Sequence, residues 1–190
     1  MSTTWSPRSP ARPPLVDRAQ ALARELGFER SCHDEVGMLL HLLAAQRGRA
    51  RVAEAGTGAG VGTAWLASGL PPGVPLFTAE RDDRLAAAAS ELFAGDPDVH
   101  VLAGDWHERL APEAPFDLLF VDAAAAKDDG ERAIGLLAPG ATVVLDDFWL
   151  DGPPPDPDPR RALWLGHPLL AAAELAVSPR MAVIVGVRAR

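Results

Sequence analysis

The chain has 190 residues, 48% apolar and 23% charged, with a formal net charge of -8. That length builds one substantial core and is short for two ordinary domains. The negative balance, with arginines scattered rather than clustered, excludes the positive footprint that a nucleic-acid duplex demands. Cys32 stands alone, which rules out an intrachain disulfide framework and a thiolate zinc site. No apolar run is long enough to span a bilayer and the first residues lack the apolar core of a signal peptide, so no membrane partner and a cytoplasmic location are expected.

In chain order, residues 1–14 are rich in Ser, Pro and Arg and read as a disordered tail ahead of a single domain at 15–190. Leu15 to Phe28 and Asp34 to Arg47 have helical apolar spacing, with Asp34 as an N-cap. Val52-Ala53-Glu54-Ala55 is a short apolar run carrying an acid. It leads into the glycine comb Gly56, Gly58, Gly60 and Gly62, with a helix starting near Val61. Four more strands are expected at Val74 to Glu80, Val99 to Asp105, Phe116 to Asp122 and Ala141 to Asp147. Helices at Asp82 to Ala94, Trp106 to Leu110 and Asp128 to Leu137 fill the slots between them. The alternation predicts an α/β fold, Rossmann-like and doubly wound around a mostly parallel sheet. Asp151 to Pro159 is a stiff Pro-rich segment that leaves the end of a strand and so belongs at the mouth of a site. Ala173 to Val177 and Met181 to Val187 then predict a closing antiparallel hairpin.

A strand that runs into glycines and a helix is how an open α/β sheet holds a nucleotide-like cofactor, because glycine lets the backbone approach the ligand. A dinucleotide fingerprint would place its third glycine at position 61, which is Val61. The mismatch disfavours a nicotinamide-dependent oxidoreductase. Glu80 stands 20 residues beyond Gly60, where an acid grips ribose hydroxyls, with Arg81 beside it. Gly104-Asp105-Trp106 offers a carboxylate for an exocyclic amine and a ring to stack on a purine. Any one strand-end acid has a capping or turn explanation. Here the ends recur as Glu54, Glu80, Asp105, Asp122 and the pair Asp146 and Asp147, and in an open parallel sheet those ends line one crevice.

Glu54-x-Gly56-x-Gly58-x-Gly60 resembles the first motif of class I S-adenosylmethionine-dependent methyltransferases. Asp34-Glu35-Val36-Gly37 resembles the segment that opens the catechol and caffeoyl-CoA O-methyltransferase-like family. Val121-Asp122-Ala123 is similar to that family's Val/Ile-Asp-Ala motif, Leu137-Ala138-Pro139-Gly140-Ala141 to its Leu-Arg-Pro-Gly-Gly turn, and Leu145-Asp146-Asp147 to its Asp-Asn pair. The resemblance runs from about Asp34 to Leu150. It implies a methyl transferred from S-adenosylmethionine to a hydroxyl of a small aromatic acceptor, with help from a divalent cation, in a protein that forms homodimers. Glu54, Gly56, Thr57, Gly58, Gly60 and Thr63 would then hold the methionine moiety, Glu80 and Arg81 the ribose, and Gly104, Asp105 and Trp106 the adenine, with Asp122 nearby.

A phenol with a pKa of about 10 needs its oxyanion stabilised near neutral pH, and a hard cation held by carboxylates does this. Asp122, Asp146 and Asp147 are the candidate ligands. Their oxygen-only chemistry suits magnesium first, then calcium or manganese. Asp147 departs from the family's neutral Asn, and it either joins the metal or caps the next turn. Lys127 is the only lysine beside 17 arginines. The family's lysine follows the matched aspartate by three residues, a place held here by Ala125. Lys127 is therefore either a displaced general base or a solvated lysine at a helix start. The displaced lysine and the Asp147 change leave a second class open, a cofactor-binding protein of the same fold without turnover. His33 stands before the second helix, and Phe148, Trp149 and Trp164 flank the Pro-rich segment as walls for an aromatic acceptor.

Overall fold

The strands form along short, mostly apolar runs, and their alternate side chains feed two cores. The computed structural model describes residues 11–150 and 158–189. In chain order it contains α1 (Pro14–Glu25), α2 (Asp34–Ala44), β1 (Val52–Ala55), α3 (Val61–Gly69), β2 (Leu76–Glu80), α4 (Asp83–Phe93), β3 (Val99–Ala103) and α5 (Trp106–Leu110). These are followed by β4 (Phe116–Val121), α6 (Ala124–Asp128), α7 (Gly130–Gly135), β5 (Leu137–Trp149), α8 (Pro159–Gly166), β6 (Leu170–Ala176) and β7 (Met181–Arg188). Leu118 and Phe120 of β4 face the core under α1 to α4, whereas Leu119 and Val121 face the core under α5 to α8. The period of two puts a helical layer on each face of the sheet.

The sheet order is β3-β2-β1-β4-β5-β7-β6. The pairs from β3 through β5 are parallel, and β7 lies antiparallel between β5 and β6. This is the doubly wound sheet with a closing hairpin that the alternation predicted. Strand order reverses at β1, which has β2 on one side and β4 on the other, and the crevice beyond such a switch point is where open α/β sheets bind ligands. The turns leaving β1 and β4 touch there, with the Asp122 and Ala123 amides both donating to the Ala55 carbonyl, at 2.9 and 2.6 Å.

Some local expectations change. Asp34 does not cap α2; the N-cap is His33, and Asp34 instead accepts from Gln20 at 3.0 Å and from Arg12, tying α2 to α1. Helix α1 starts at Pro14, so the described residues Ala11–Pro13 lead directly into it, while positions 1–10 of the expected tail lie outside the described residues. The single helix expected at Asp128 to Leu137 is two, broken at Asp129 (φ -116, ψ 63), so α6 begins four residues earlier. The sequence reading missed α8 altogether. It is started by Asp158, whose carboxylate accepts from the Arg161 amide at 3.0 Å, with Pro159 in the first turn. Asp151 to Pro157 of the Pro-rich segment lie outside the described residues. Among the described residues no helix is long and apolar enough to cross a membrane.

Candidate active site

Past Ala55 the chain turns through Gly56, Gly58 and Gly60 at φ 105, 53 and 86, left-handed values that glycine adopts without strain. Space enforces the same choice. A Cβ on Gly56 would stand 2.7 Å from the Ala123 amide nitrogen, one on Gly58 2.8 Å from the Phe28 ring and one on Gly60 2.9 Å from the Phe93 ring. Helix α3 follows with no side-chain cap, leaving its first N–H groups to whatever occupies the crevice.

Glu54 lies beneath this turn, fully buried. Its Oε2 accepts from the Thr78 hydroxyl at 2.7 Å and from Thr63, and Thr57 pairs with Thr78 at 2.6 Å. Its Oε1 has no hydrogen-bond partner and faces Gly62, where a Cβ would come within 2.3 Å. Burial pushes the carboxyl up to about 8, against the two threonine hydroxyls that favour its charged form. The side chains of Glu54, Thr57 and Thr63, which were expected to hold a cofactor, bond to one another and to Thr78 beneath the turn.

Glu80, at the end of β2, is half-buried at the rim. Its Oε2 accepts from the Gly58 amide at 2.8 Å and its Oε1 from the Asp82 amide at 2.9 Å, which leaves lone pairs on both oxygens. Arg81 beside it is exposed. Gly104, at φ 132, donates its amide to the Glu80 carbonyl at 2.8 Å and so joins the β3 exit to the same rim. Asp105 Oδ1 caps α5 through the His107 and Glu108 amides, at 2.9 and 3.3 Å. The expected stacking platform is corrected: Trp106 is buried in the core with Phe77 and Leu110, because its helix turns the indole inward.

The acidic end is built by β4, α6 and β5. The register of β5 against β7 slips between Leu145 and Phe148, and the two intervening residues form a bulge with Asp147 at φ 65. The bulge turns Asp146 inward, at 3% exposure, and leaves Asp147 open, at 46%. With Asp122 at the β4 exit, the three offer carboxylate oxygens within 4.8 Å of one another. Because α6 starts at Ala124, Lys127 falls on its first turn. Its Nζ enters the centre of the cluster, 2.7 Å from Asp146, 3.0 Å from Asp147 and 3.5 Å from Asp122. The Trp164 Nε1 of α8 donates to the Lys127 carbonyl at 2.8 Å, pinning the residue from behind.

Burial and Asp146 push the Asp122 carboxyl well up, with Lys127 pulling the other way. Burial likewise raises Asp146, opposed by Lys127. Burial alone would lower Lys127, but the three surrounding carboxylates outweigh it and hold the ammonium protonated. Lys127 is thus not the solvated lysine the sequence allowed, being only 2% exposed, and in this arrangement its Nζ donates to the three carboxylates. A divalent ion bound by these oxygens at roughly 2.0–2.6 Å would share the volume that Nζ fills. The Lys127 ammonium and such an ion therefore compete for one place among the three carboxylates.

Of the aromatic walls, Phe148 and Trp164 are buried. Trp149 is exposed beside Asp147, with the His33 ring edge-on at 5.9 Å. Sequence reasoning missed Phe28, which roofs Gly58, and the role of Trp164. Neither carries a local signal, since both act across the fold.

Residues 53–148 match a family model described as a methyltransferase domain. A protein of Mycobacterium avium named as an O-methyltransferase is 35% identical over 136 residues, 67% of this chain and 61% of that protein. One of Mycobacterium tuberculosis is 37% identical over 67% of this chain and 60% of its own length. The chain thus spans about three fifths of the curated relatives it matches. Among solved structures, the O-methyltransferase TomG of Streptomyces achromogenes, in complex with S-adenosylmethionine, superposes with a TM-score of 0.76 at 26% identity, covering 94% of this chain and 91% of that one. An O-methyltransferase of Bacillus cereus shares the fold with a TM-score of 0.80 at 23% identity, over 93% and 91% of the two chains.

Proposed function

The chain belongs to the methyltransferase-domain family, and from that premise we propose that it is an S-adenosylmethionine-dependent O-methyltransferase acting on a hydroxyl of a small aromatic acceptor. One observation carries the reading: the left-handed glycine turn after β1 and the acidic cluster at the β4 exit and the β5 bulge meet at a single switch point of the sheet. A Cβ on these glycines would strike Ala123, Phe28 or Phe93, so the turn keeps its course only with glycine. Gly56, Gly58 and Gly60 would hold the methionine part of the cofactor, Glu80 the ribose hydroxyls through its free lone pairs, and the second oxygen of Asp105 the adenine amine. S-adenosylmethionine supplies an electrophilic methyl group on sulfur.

The chain's own task is to align the attacking hydroxyl and take its proton. Asp147 is the exposed carboxylate of the cluster and would take the hydroxyl proton as the oxygen–methyl bond forms and the sulfur–methyl bond breaks, while Trp149 and His33 border the approach. Magnesium, calcium or manganese at Asp122, Asp146 and Asp147 has no room beside the Lys127 ammonium, so no step of this reading runs through a divalent ion. The engagement of Lys127 with three carboxylates also favours a second reading, a protein that binds the cofactor without turnover.

Calorimetric titration of S-adenosylhomocysteine and, separately, NADH tests the assignment. Micromolar binding of the first and none of the second is expected; the opposite pattern returns the fold to the oxidoreductases. Failure to bind either removes the cofactor assignment. Methyl transfer to a panel of catechols and phenols then separates the enzyme from the silent binder.

A further inference from the structure

An ammonium is a single positive charge with three N–H donors. At Lys127 each of the three has a carboxylate within 3.5 Å, so the group has no donor left over. Carboxylate oxygens within 4.8 Å of one another repel strongly unless a positive charge stands among them. The fold places that charge deliberately. The Lys127 amide continues α6 from the Ala123 carbonyl at 3.0 Å, the Lys127 carbonyl is held by Trp164, and the β5 bulge presents Asp146 and Asp147 from the other side.

We propose that the Lys127 ammonium is the resident cation of the Asp122, Asp146 and Asp147 cluster, holding the acceptor-side carboxylates in place without a divalent ion. The part these carboxylates play rests on the O-methyl transfer reading; the placement of the charge does not. Lys127 is then a positioning residue. It touches no acceptor atom, since its donors are all committed, and it orients Asp147, which does. A lysine suits the role because its ammonium is a compact point charge, whereas an arginine fork would need planar partners. Every other position among the 18 Lys and Arg residues is arginine.

The test is a Mn2+ titration of the full chain followed by electron paramagnetic resonance, where the sharp spectrum of the free ion disappears on binding. Wild-type protein is expected to leave that spectrum unchanged. Lys127→Met and Lys127→Gln, whose uncharged side chains are one atom shorter, are expected to bind Mn2+ at least about tenfold more tightly than wild type, because a like charge has left the site. Adding Asp146→Asn to either variant should abolish the gain and so locate the ion. Wild-type uptake of Mn2+ that Asp146→Asn removes would overturn the proposal, as would variants that bind no better than wild type. If Lys127→Met loses its circular-dichroism signature of folding, the wild-type arm and Lys127→Gln decide. Calorimetry of S-adenosylhomocysteine on the same samples reads the functional assignment separately. Its failure beside the expected Mn2+ result strikes methyl transfer and leaves the resident cation standing.

Discussion

The two ends of the crevice are specified by different physics. At the β1 end the shape belongs to the backbone: three glycines in left-handed conformations, each pressed against a neighbour that leaves no room for a Cβ. Its one buried acid, Glu54, is neutralised by burial rather than by a partner charge. At the β4 and β5 end the shape belongs to side chains, four ionisable groups converging from three elements on one point. A backbone-defined site tolerates a neutral floor, while a charge-defined site fails as soon as one sign is removed.

The sharpest way to break the comparison is therefore at the charged end. Asp146→Ala strips the buried ammonium of its nearest partner, at 2.7 Å. Removing one member of a buried pair costs about 3–5 kcal/mol. Urea denaturation at neutral pH should show a loss of that size, and a loss under 1 kcal/mol would mean that Asp122 and Asp147 hold Lys127 without it.

The glycine end differs in the sign of its pH dependence. Glu54 has its folded value raised from an ordinary 4.5 to about 8, so the native state binds the proton more tightly than the unfolded chain. The contribution of such a group is largest in acid and declines as pH rises from its unfolded value to its folded one. Glu54→Gln keeps the shape and removes the titration. Its stability relative to wild type should rise by about 2–4 kcal/mol between about pH 5 and about pH 8. A flat difference across that range would place a charge compensator beside Glu54.

Gly56→Ala tests the backbone directly. A Cβ there meets the Ala123 amide, which cannot move without shifting the β4 exit, and φ 105 is strained for alanine. The expected cost is about 1–3 kcal/mol in stability. Affinity for S-adenosylhomocysteine should fall by more than about tenfold, since the turn itself is the cradle. An alanine variant with unchanged affinity would show that the cofactor does not lie on this turn.

What the sequence disclosed follows the same division. The strands, the sheet order's parallel core and the glycine turn were legible because apolar runs and left-handed glycines are local signals. The acids were legible as a set, since each ends a strand, yet which of them face the crevice was not. Glu54, Thr57 and Thr63 share the spacing of ligand contacts and point into the floor. The path of Lys127 was hidden by the alanine-rich run from Ala123 to Ala126, which fits a strand exit as well as a helix start. The break that repositions α6 lies at Asp129-Gly130, where Gly130 admits Leu163 of α8; a Cβ there would stand 2.9 Å from Leu163 Cδ2. Helix α8 was obscured because its start signal, Asp158-Pro159, closes a Pro-rich run that reads as extended chain.

The smallest expected effect tests whether that missed helix takes part in the charged end. Trp164 is wholly buried, and its indole N–H donates to the Lys127 carbonyl. Trp164→Phe keeps an aromatic ring there and leaves the carbonyl without this donor, at a cost of about 1–2 kcal/mol. Were α8 merely a cover for the sheet, stability alone would fall. If it aims the ammonium, the lysine backbone relaxes and the carboxylates lose their centre, so Trp164→Phe should also acquire weak Mn2+ binding that wild type lacks. The pairing of a modest stability loss with a new ion affinity would tie the helix to the cluster, and a stability loss without it would confine Trp164 to packing.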